Sequence, residues 1–198
     1  MGVWNPSLTI NTVSSTVAKI EVHPFFNPLT LKNDIAVLRL VTPMTRSAYI
    51  NTACMPLSGS TSATFVGQRC VVSGWGQTSF FINNAPTNLM KQVFVNVVDY
   101  TTCRTSFSAA NLLSTNVDTY LDGNGEICAG GESQKDACSQ DGGSPLVCQD
   151  TSGVYRVAGL VIWGKNCGQP GVYGVYVSIP AYYNWIETKI QTLNAEFG

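Results

Sequence analysis

Seven cysteines, at positions 54, 70, 103, 128, 138, 148 and 167, are spread along the 198-residue chain and restrict its fold more than any other feature. No two are spaced as Cys-x-x-Cys, the pairing that tetrahedral zinc sites favour, so the thiols point to disulfides and no metal or other cofactor is implied. A disulfide framework belongs to an oxidising, extracellular compartment. The odd count leaves one cysteine without a partner inside the chain, and spacing alone does not choose among the possible pairings. Composition agrees with such a setting. Charged residues make up 12% of the chain, about half the usual share. The net charge is −1 and no basic run occurs, which argues against nucleic acid or an acidic membrane as partner. No apolar stretch approaches the length of a bilayer span.

Hydrophobic periodicity reads as strands. Ala18, Ile20 and Val22 alternate with Lys19 and Glu21, the period of a half-buried strand. Residues 34–40, 69–73, 89–98, 154–163 and 172–178 are further strands, with Lys91, Val93, Val95 and Val97 on one face of the fourth and turns rich in Gly, Asn and Pro between them. A short helix is predicted near 98–107, with Asp99 or Thr101 able to cap it. A longer one is predicted over 181–195, where Trp185, Ile186, Ile190 and Leu193 make an apolar stripe. Length fits one domain with a good-sized core, and there is no internal repeat.

Residues 138–148 read Cys-Ser-Gln-Asp-Gly-Gly-Ser-Pro-Leu-Val-Cys. The string resembles the active-site loop of trypsin-like serine proteases, Cys-x-Gly-Asp-Ser-Gly-Gly-Pro-Leu-Val-Cys. Asn33-Asp34-Ile-Ala-Val-Leu-Arg-Leu40, Cys70-Val-Val-Ser-Gly-Trp-Gly76, Ile127-Cys-Ala-Gly130, Trp163-Gly164 and Pro170-Gly-Val-Tyr173 follow in that family's order, so the resemblance covers nearly the whole chain. It implies an all-β, trypsin-like double β-barrel with the first barrel incomplete. Residues 1–60 would carry the remnant of the first barrel and the crossover, 61–180 the second barrel, and 181–198 the C-terminal helix. It also implies three disulfides, Cys70–Cys148, Cys103–Cys128 and Cys138–Cys167. Cys54, in Ala53-Cys-Met-Pro-Leu57, is then unpaired, at a position where clip-domain and chymotrypsin-like relatives tether an upstream segment.

Set against the family pattern, the chain lacks its chemistry. Gly142 occupies the position of the nucleophilic serine and has no side chain to attack a carbonyl. Asp34 matches the triad aspartate, but the general base, carried in the family by Thr-Ala-Ala-His-Cys, has no counterpart. The single histidine, His23 in Val22-His-Pro-Phe-Phe26, matches a family surface loop and not the base, which must reach its partner by a hydrogen bond. Gln140 stands where the family has an oxyanion-hole glycine, and its side chain would disfavour a glycine-only backbone geometry. Ile162 replaces a serine that donates to the triad aspartate, which leaves Asp34 without that partner. Loss of triad function lowers turnover by about six orders of magnitude.

Recognition features remain. Asp136 matches the acidic residue at the base of the S1 pocket in proteases selective for Arg or Lys, where a carboxylate pairs with guanidinium or ammonium. Gly164 and Gly171 match the small residues that keep that pocket open, and Trp163 matches its apolar wall. In the family the pocket takes shape when a freed N-terminal ammonium pairs with the aspartate matching Asp141. The opening Met1-Gly-Val-Trp-Asn-Pro-Ser7 is not such a terminus. It also has no signal-peptide n-region or h-region, and it misses the myristoylation pattern at Pro6. The expected protein is therefore a secreted, non-catalytic serine protease homologue of the arthropod clip-domain type. It would bind proteases, zymogens or inhibitors and regulate a proteolytic cascade, with a signal, a regulatory region and early barrel strands upstream. The alternatives are a truncated trypsin-like endopeptidase, which Gly142 opposes, and a structural or inhibitor-decoy module.

Overall fold

Along Lys91–Val98 (β4) the side chains of Val95 and Val97 are fully buried while their neighbours are not, and this period of two is what sheet closure requires. The computed structural model describes residues 1–77, 86–109, 113 and 116–197. In chain order its elements are β1 (Val17–Val22), β2 (Ala36–Leu40), β3 (Arg69–Gly74), β4, α1 (Tyr100–Ala109), β5 (Glu126–Gly130), β6 (Pro145–Gln149), β7 (Tyr155–Trp163), β8 (Tyr173–Ser178) and α2 (Tyr183–Phe197). Six strands close into an antiparallel barrel in the order β3-β4-β5-β8-β7-β6, with β6 returning to β3 through Val72↔Leu146. Val72, Val95, Val97, Ile127, Leu146, Ala158 and Tyr176 fill the interior. The chain has the all-β fold with a closed barrel and C-terminal helix that its pattern implies. No helix among the described residues is long and apolar enough to cross a membrane.

The three disulfides pair as the resemblance implies. Cys70–Cys148 ties β3 to β6, Cys103–Cys128 ties α1 to β5, and Cys138–Cys167 joins two loops at one end of the barrel. They close loops of 78, 25 and 29 residues, each restricting the unfolded chain by roughly 3–5 kcal/mol in the chain-entropy account. Cys54 is free and exposed. Asp99 is the cap of α1: Thr102 donates to it through both its backbone N–H (2.9 Å) and its hydroxyl (2.7 Å).

β1 and β2 form a separate two-stranded sheet, with Ile20 opposite Leu38 and Glu21 opposite Val37. Ile20 (59% exposed), Val22 and Leu38 (53%) face outward. The other face lies against α2, where Lys19 pairs with Glu196 (2.6 Å), Lys189 with Glu21 (2.8 Å), and Arg39 donates to Asn194 (2.8 Å). Two details depart from the periodicity. Ile35, inside the strand expected over 34–40, precedes β2 and is buried (6% exposed) beside Tyr182 and Ile186. Ile190 lies largely exposed, and Tyr182, Ile186 and Leu193 carry the buried stripe of the C-terminal segment instead. Much of the shared face there is taken by the ion pairs of Lys189 and Glu196.

Candidate functional site

The loop from Cys138 to Ser144 is folded around one carboxylate. Asp141 accepts the backbone N–H of Gly76 on Oδ1 (2.8 Å) and that of Cys138 on Oδ2 (3.0 Å). Its own N–H donates to the Cys138 carbonyl, and its carbonyl accepts from Ser144. Gly74 and Gly76 make this possible, because a β-carbon on either would lie 2.1 Å and 2.4 Å from Asp141 atoms. Gly143 donates to the Val161 carbonyl (2.8 Å), which anchors the loop on β7.

Beside this loop lies a cavity of about 310 Å³, lined by Asp136, Ala137, Cys138, Ser139, Gln140, Gly142, Val161 to Gly164, Asn166, Cys167 and Gly174 to Tyr176. Asp136, Trp163 and Gly164 thus meet around one space, as their sequence positions suggest. Asp136 is at once the buried and the unsatisfied member. Its Oδ2 accepts the Gly168 N–H (3.1 Å), while Oδ1 is buried with no hydrogen-bond partner. Burial pushes the carboxyl up to about 6, and Asp141 adds to that rise. The Tyr176 hydroxyl is a second buried polar atom without a partner in the same wall. Two orphaned oxygens in the wall of a cavity are acceptors that a ligand bringing N–H groups would satisfy.

Gly171 is not at this cavity. Its φ is +72°, its N–H donates to the Gly131 carbonyl (2.9 Å) and its carbonyl accepts the Ser106 hydroxyl, with open space where a β-carbon would stand. Gly174 holds the place instead: a β-carbon there would lie 3.0 Å from Asp136 Oδ1 and 3.4 Å from the Tyr176 hydroxyl. The tripeptide Gly-Val-Tyr occurs twice in succession, at 171–173 and 174–176, and sequence matching takes the first copy. Strand alternation was the signal for the second. In β8, Gly174 and Tyr176 share one face, whereas Tyr173 and Val175 pack against α1 and Phe107 on the other.

The remaining sequence-derived positions fall as follows. Gly142 lies at the cavity with no atom within 4 Å of where a β-carbon would stand. Gln140 keeps a left-handed backbone at φ +73°, a conformation that costs a residue with a side chain about 1 kcal/mol or more. Asp34 has its carboxyl pushed up by burial, with no hydrogen bond among the described residues to offset it. Ile162 packs between the Phe107 and Ile35 clusters and brings no donor. His23 sits in an aromatic group, 5.0 Å from the Trp185 ring and 5.2 Å from Tyr182, with Nδ1 accepting the Phe25 N–H (3.3 Å). One residue was not singled out from sequence at all. Glu126, 5% exposed on β5, approaches the Trp163 indole N–H (3.4 Å) from behind the cavity wall.

Known proteins match this arrangement. The Trypsin family model matches residues 7–186. The chain is 42% identical to Inactive CLIP domain-containing serine protease A3 of Aedes aegypti, over 96% of this chain and 39% of that protein. It is 39% identical to Inactive CLIP domain-containing serine protease A28 of Anopheles gambiae, over 99% of this chain and 50% of that protein. To Phenoloxidase-activating factor 2 of Galleria mellonella it is 36% identical, over 86% of this chain and 55% of that protein. It therefore spans about half or less of the length of these relatives. With the closed barrel, the three disulfides and the Asp141 loop, these matches establish that the chain belongs to the trypsin family.

Proposed function

We propose that this chain is a secreted, non-catalytic member of the trypsin family that recognises a basic side chain of a partner protein and does not cut it. The observation that carries the reading is the buried, unpartnered Oδ1 of Asp136 in a cavity where Gly142 holds the nucleophile's place. A carboxylate in a recess of low dielectric is paired best by guanidinium or ammonium. With no hydroxyl at 142 and His23 held in its aromatic group, neither position offers a bound chain the nucleophile or the base of a triad. Gln140, Asp141 and Gly142 then serve as the rim of a binding site. The names of the relatives, two of them inactive and one a phenoloxidase-activating factor, support a role among the proteases, zymogens or inhibitors of an extracellular cascade. Three disulfides suit that compartment.

The test has two arms. p-Aminobenzamidine should bind the purified chain and lose at least tenfold in affinity on Asp136→Asn. Arg and Lys ester substrates should be hydrolysed no faster than blank, and no serine should react with a fluorophosphonate probe. Covalent labelling of any serine would overturn the non-catalytic reading; equal binding by wild type and Asp136→Asn would overturn the assignment of the cavity.

A further inference from the structure

We infer that Glu126 is a positioning residue for the recognition cavity, holding the Trp163 wall from behind through the indole N–H. The inference rests on the cavity being a ligand site, as proposed above, and concerns what sets the shape of that site.

Glu126 opens β5 inside the protein. Its Oε2 accepts the Asp122 backbone N–H (2.8 Å) and its Oε1 accepts the Trp163 indole N–H (3.4 Å). Trp163 ends β7 and packs its ring 5.2 Å from Phe107 and 6.5 Å from Tyr120, while another part of it lines the cavity. The ring is thus fixed by aromatic packing on one flank and has one polar tether, to Glu126. Indole has a single donor and no acceptor, so this bond decides where the N–H edge points.

The tether changes with protonation. A carboxylate accepts more strongly than a neutral acid, and the difference grows in a water-poor interior. The groups facing Glu126 are the Asp122 carboxylate, which disfavours its ionisation, Lys32, which favours it from the loop before β2, and the Tyr182 hydroxyl at the start of the C-terminal helix. With burial as the largest influence, they place its ionisation at about 7. Above that pH the wall is held by a charge-assisted bond; below it the bond is that of a neutral acid, and the indole is freer to turn. The cavity is therefore shaped best at and above neutral pH.

The experiment follows the Trp163 indole N–H resonance, assigned by its loss in Trp163→Phe, from about pH 5 to about pH 9, the span over which a carboxyl at about 7 changes charge. The wild-type resonance should move with a midpoint near neutrality. Glu126→Gln, which keeps an acceptor and removes the titration, should flatten the curve, and Asp136→Asn should leave it in place. p-Aminobenzamidine affinity should rise through about 6 in both proteins as Asp136 ionises, and only wild type should show a further rise with the midpoint of the resonance. Glu126→Ala should bind about three- to tenfold more weakly at high pH, the effect of one lost hydrogen bond, and Glu126→Gln should stay within about threefold of wild type. If the alanine variant does not fold, the glutamine variant and the resonance decide the matter. A Trp163 resonance indifferent to pH, or one titrating identically in Glu126→Gln, overturns the inference. Absence of any ligand binding by wild type would instead overturn the recognition reading, while the resonance still judges Glu126.

Discussion

Gly174 and Asp136 touch so closely that a β-carbon at position 174 would come within 3.0 Å of the aspartate Oδ1. The floor of the cavity has its present form because residue 174 has no side chain. Gly171, one Gly-Val-Tyr copy earlier, has open space where a β-carbon would stand but is held at φ +72°. The two glycines are required for different reasons, one by sterics at a ligand site and the other by backbone conformation.

Opposite outcomes are expected from substituting them. Gly174→Thr should fold and lose at least tenfold in p-aminobenzamidine affinity, because its side chain enters the space in front of Asp136. Gly171→Ala should bind normally and lose about 1 kcal/mol of stability to its left-handed backbone. Parallel binding and urea titrations check both. A binding defect in the Gly171 variant alone would restore the other copy of Gly-Val-Tyr to the site.

Asp136 makes the fold less stable as pH rises. Burial lifts its carboxyl from 3.8 to about 6, so the folded chain holds the proton more tightly than the unfolded one. Stability from this group is full below about 4 and declines as pH climbs to about 6. Asp136→Asn should remove that decline and gain on the order of 1–3 kcal/mol at pH 7, even as ligand binding is lost. Urea midpoints across that range report it, and a variant less stable than wild type at pH 7 would contradict the burial argument.

Gly142→Ser should be tolerated, since no atom lies within 4 Å of the new β-carbon, yet remain inert. A serine hydroxyl needs a base within hydrogen-bond reach, and the only imidazole packs at a tilt against Trp185 with Nδ1 occupied by the Phe25 N–H. We expect no fluorophosphonate labelling and no ester hydrolysis above blank. Stoichiometric labelling at position 142 would mean that another group serves as base.

Among the seven cysteines only Cys54 should react with a maleimide under native conditions, because it is exposed and the other six are joined in pairs. Mass spectrometry of a non-reduced digest should show one modified peptide containing Ala53-Cys-Met-Pro-Leu57. Recovery of Cys54 in a disulfide with another cysteine of this chain would refute the pairing.

The β1–β2 sheet should open before the barrel does. One face exposes Ile20 and Leu38, and the other is held to α2 partly by the exposed pair Lys19–Glu196 and the half-buried pair Glu21–Lys189. Such pairs contribute little, about 0–1 kcal/mol each, and are screened by salt. Amide hydrogens of Val17–Val22 and Ala36–Leu40 should exchange faster than those of Lys91–Val98 or Tyr173–Ser178, and the gap should widen at high salt. Equal protection in all four strands would show that the small sheet is as stable as the disulfide-bound barrel.

The barrel was legible in the chain wherever a period of two ran for several residues, as in Lys91–Val98 and Tyr155–Trp163. Glu126–Gly130 carried no such period, because its residues are all buried and a strand covered on both faces does not alternate. Asp136, Trp163 and Gly164 were found from linear motifs because each motif encodes a fixed local backbone. Gly174 was missed because a repeated tripeptide offers two registers, and only pairing of β8 with β5 and β7 selects one.

What the sequence determined by itself was local and subtractive. A glycine at 142 has no nucleophile, a single histidine supplies at most one imidazole, and an odd cysteine count leaves one thiol over. These follow from covalent structure and hold in any fold. Tertiary structure alone decided which polar atoms lack partners. That Asp136 Oδ1 and the Tyr176 hydroxyl are buried and unpaired, and that Glu126 lies behind Trp163, depends on strands distant in sequence closing into one barrel. Burial and hydrogen-bond satisfaction are properties of the assembled interior, where the cost of an unmet polar group is set by everything packed around it.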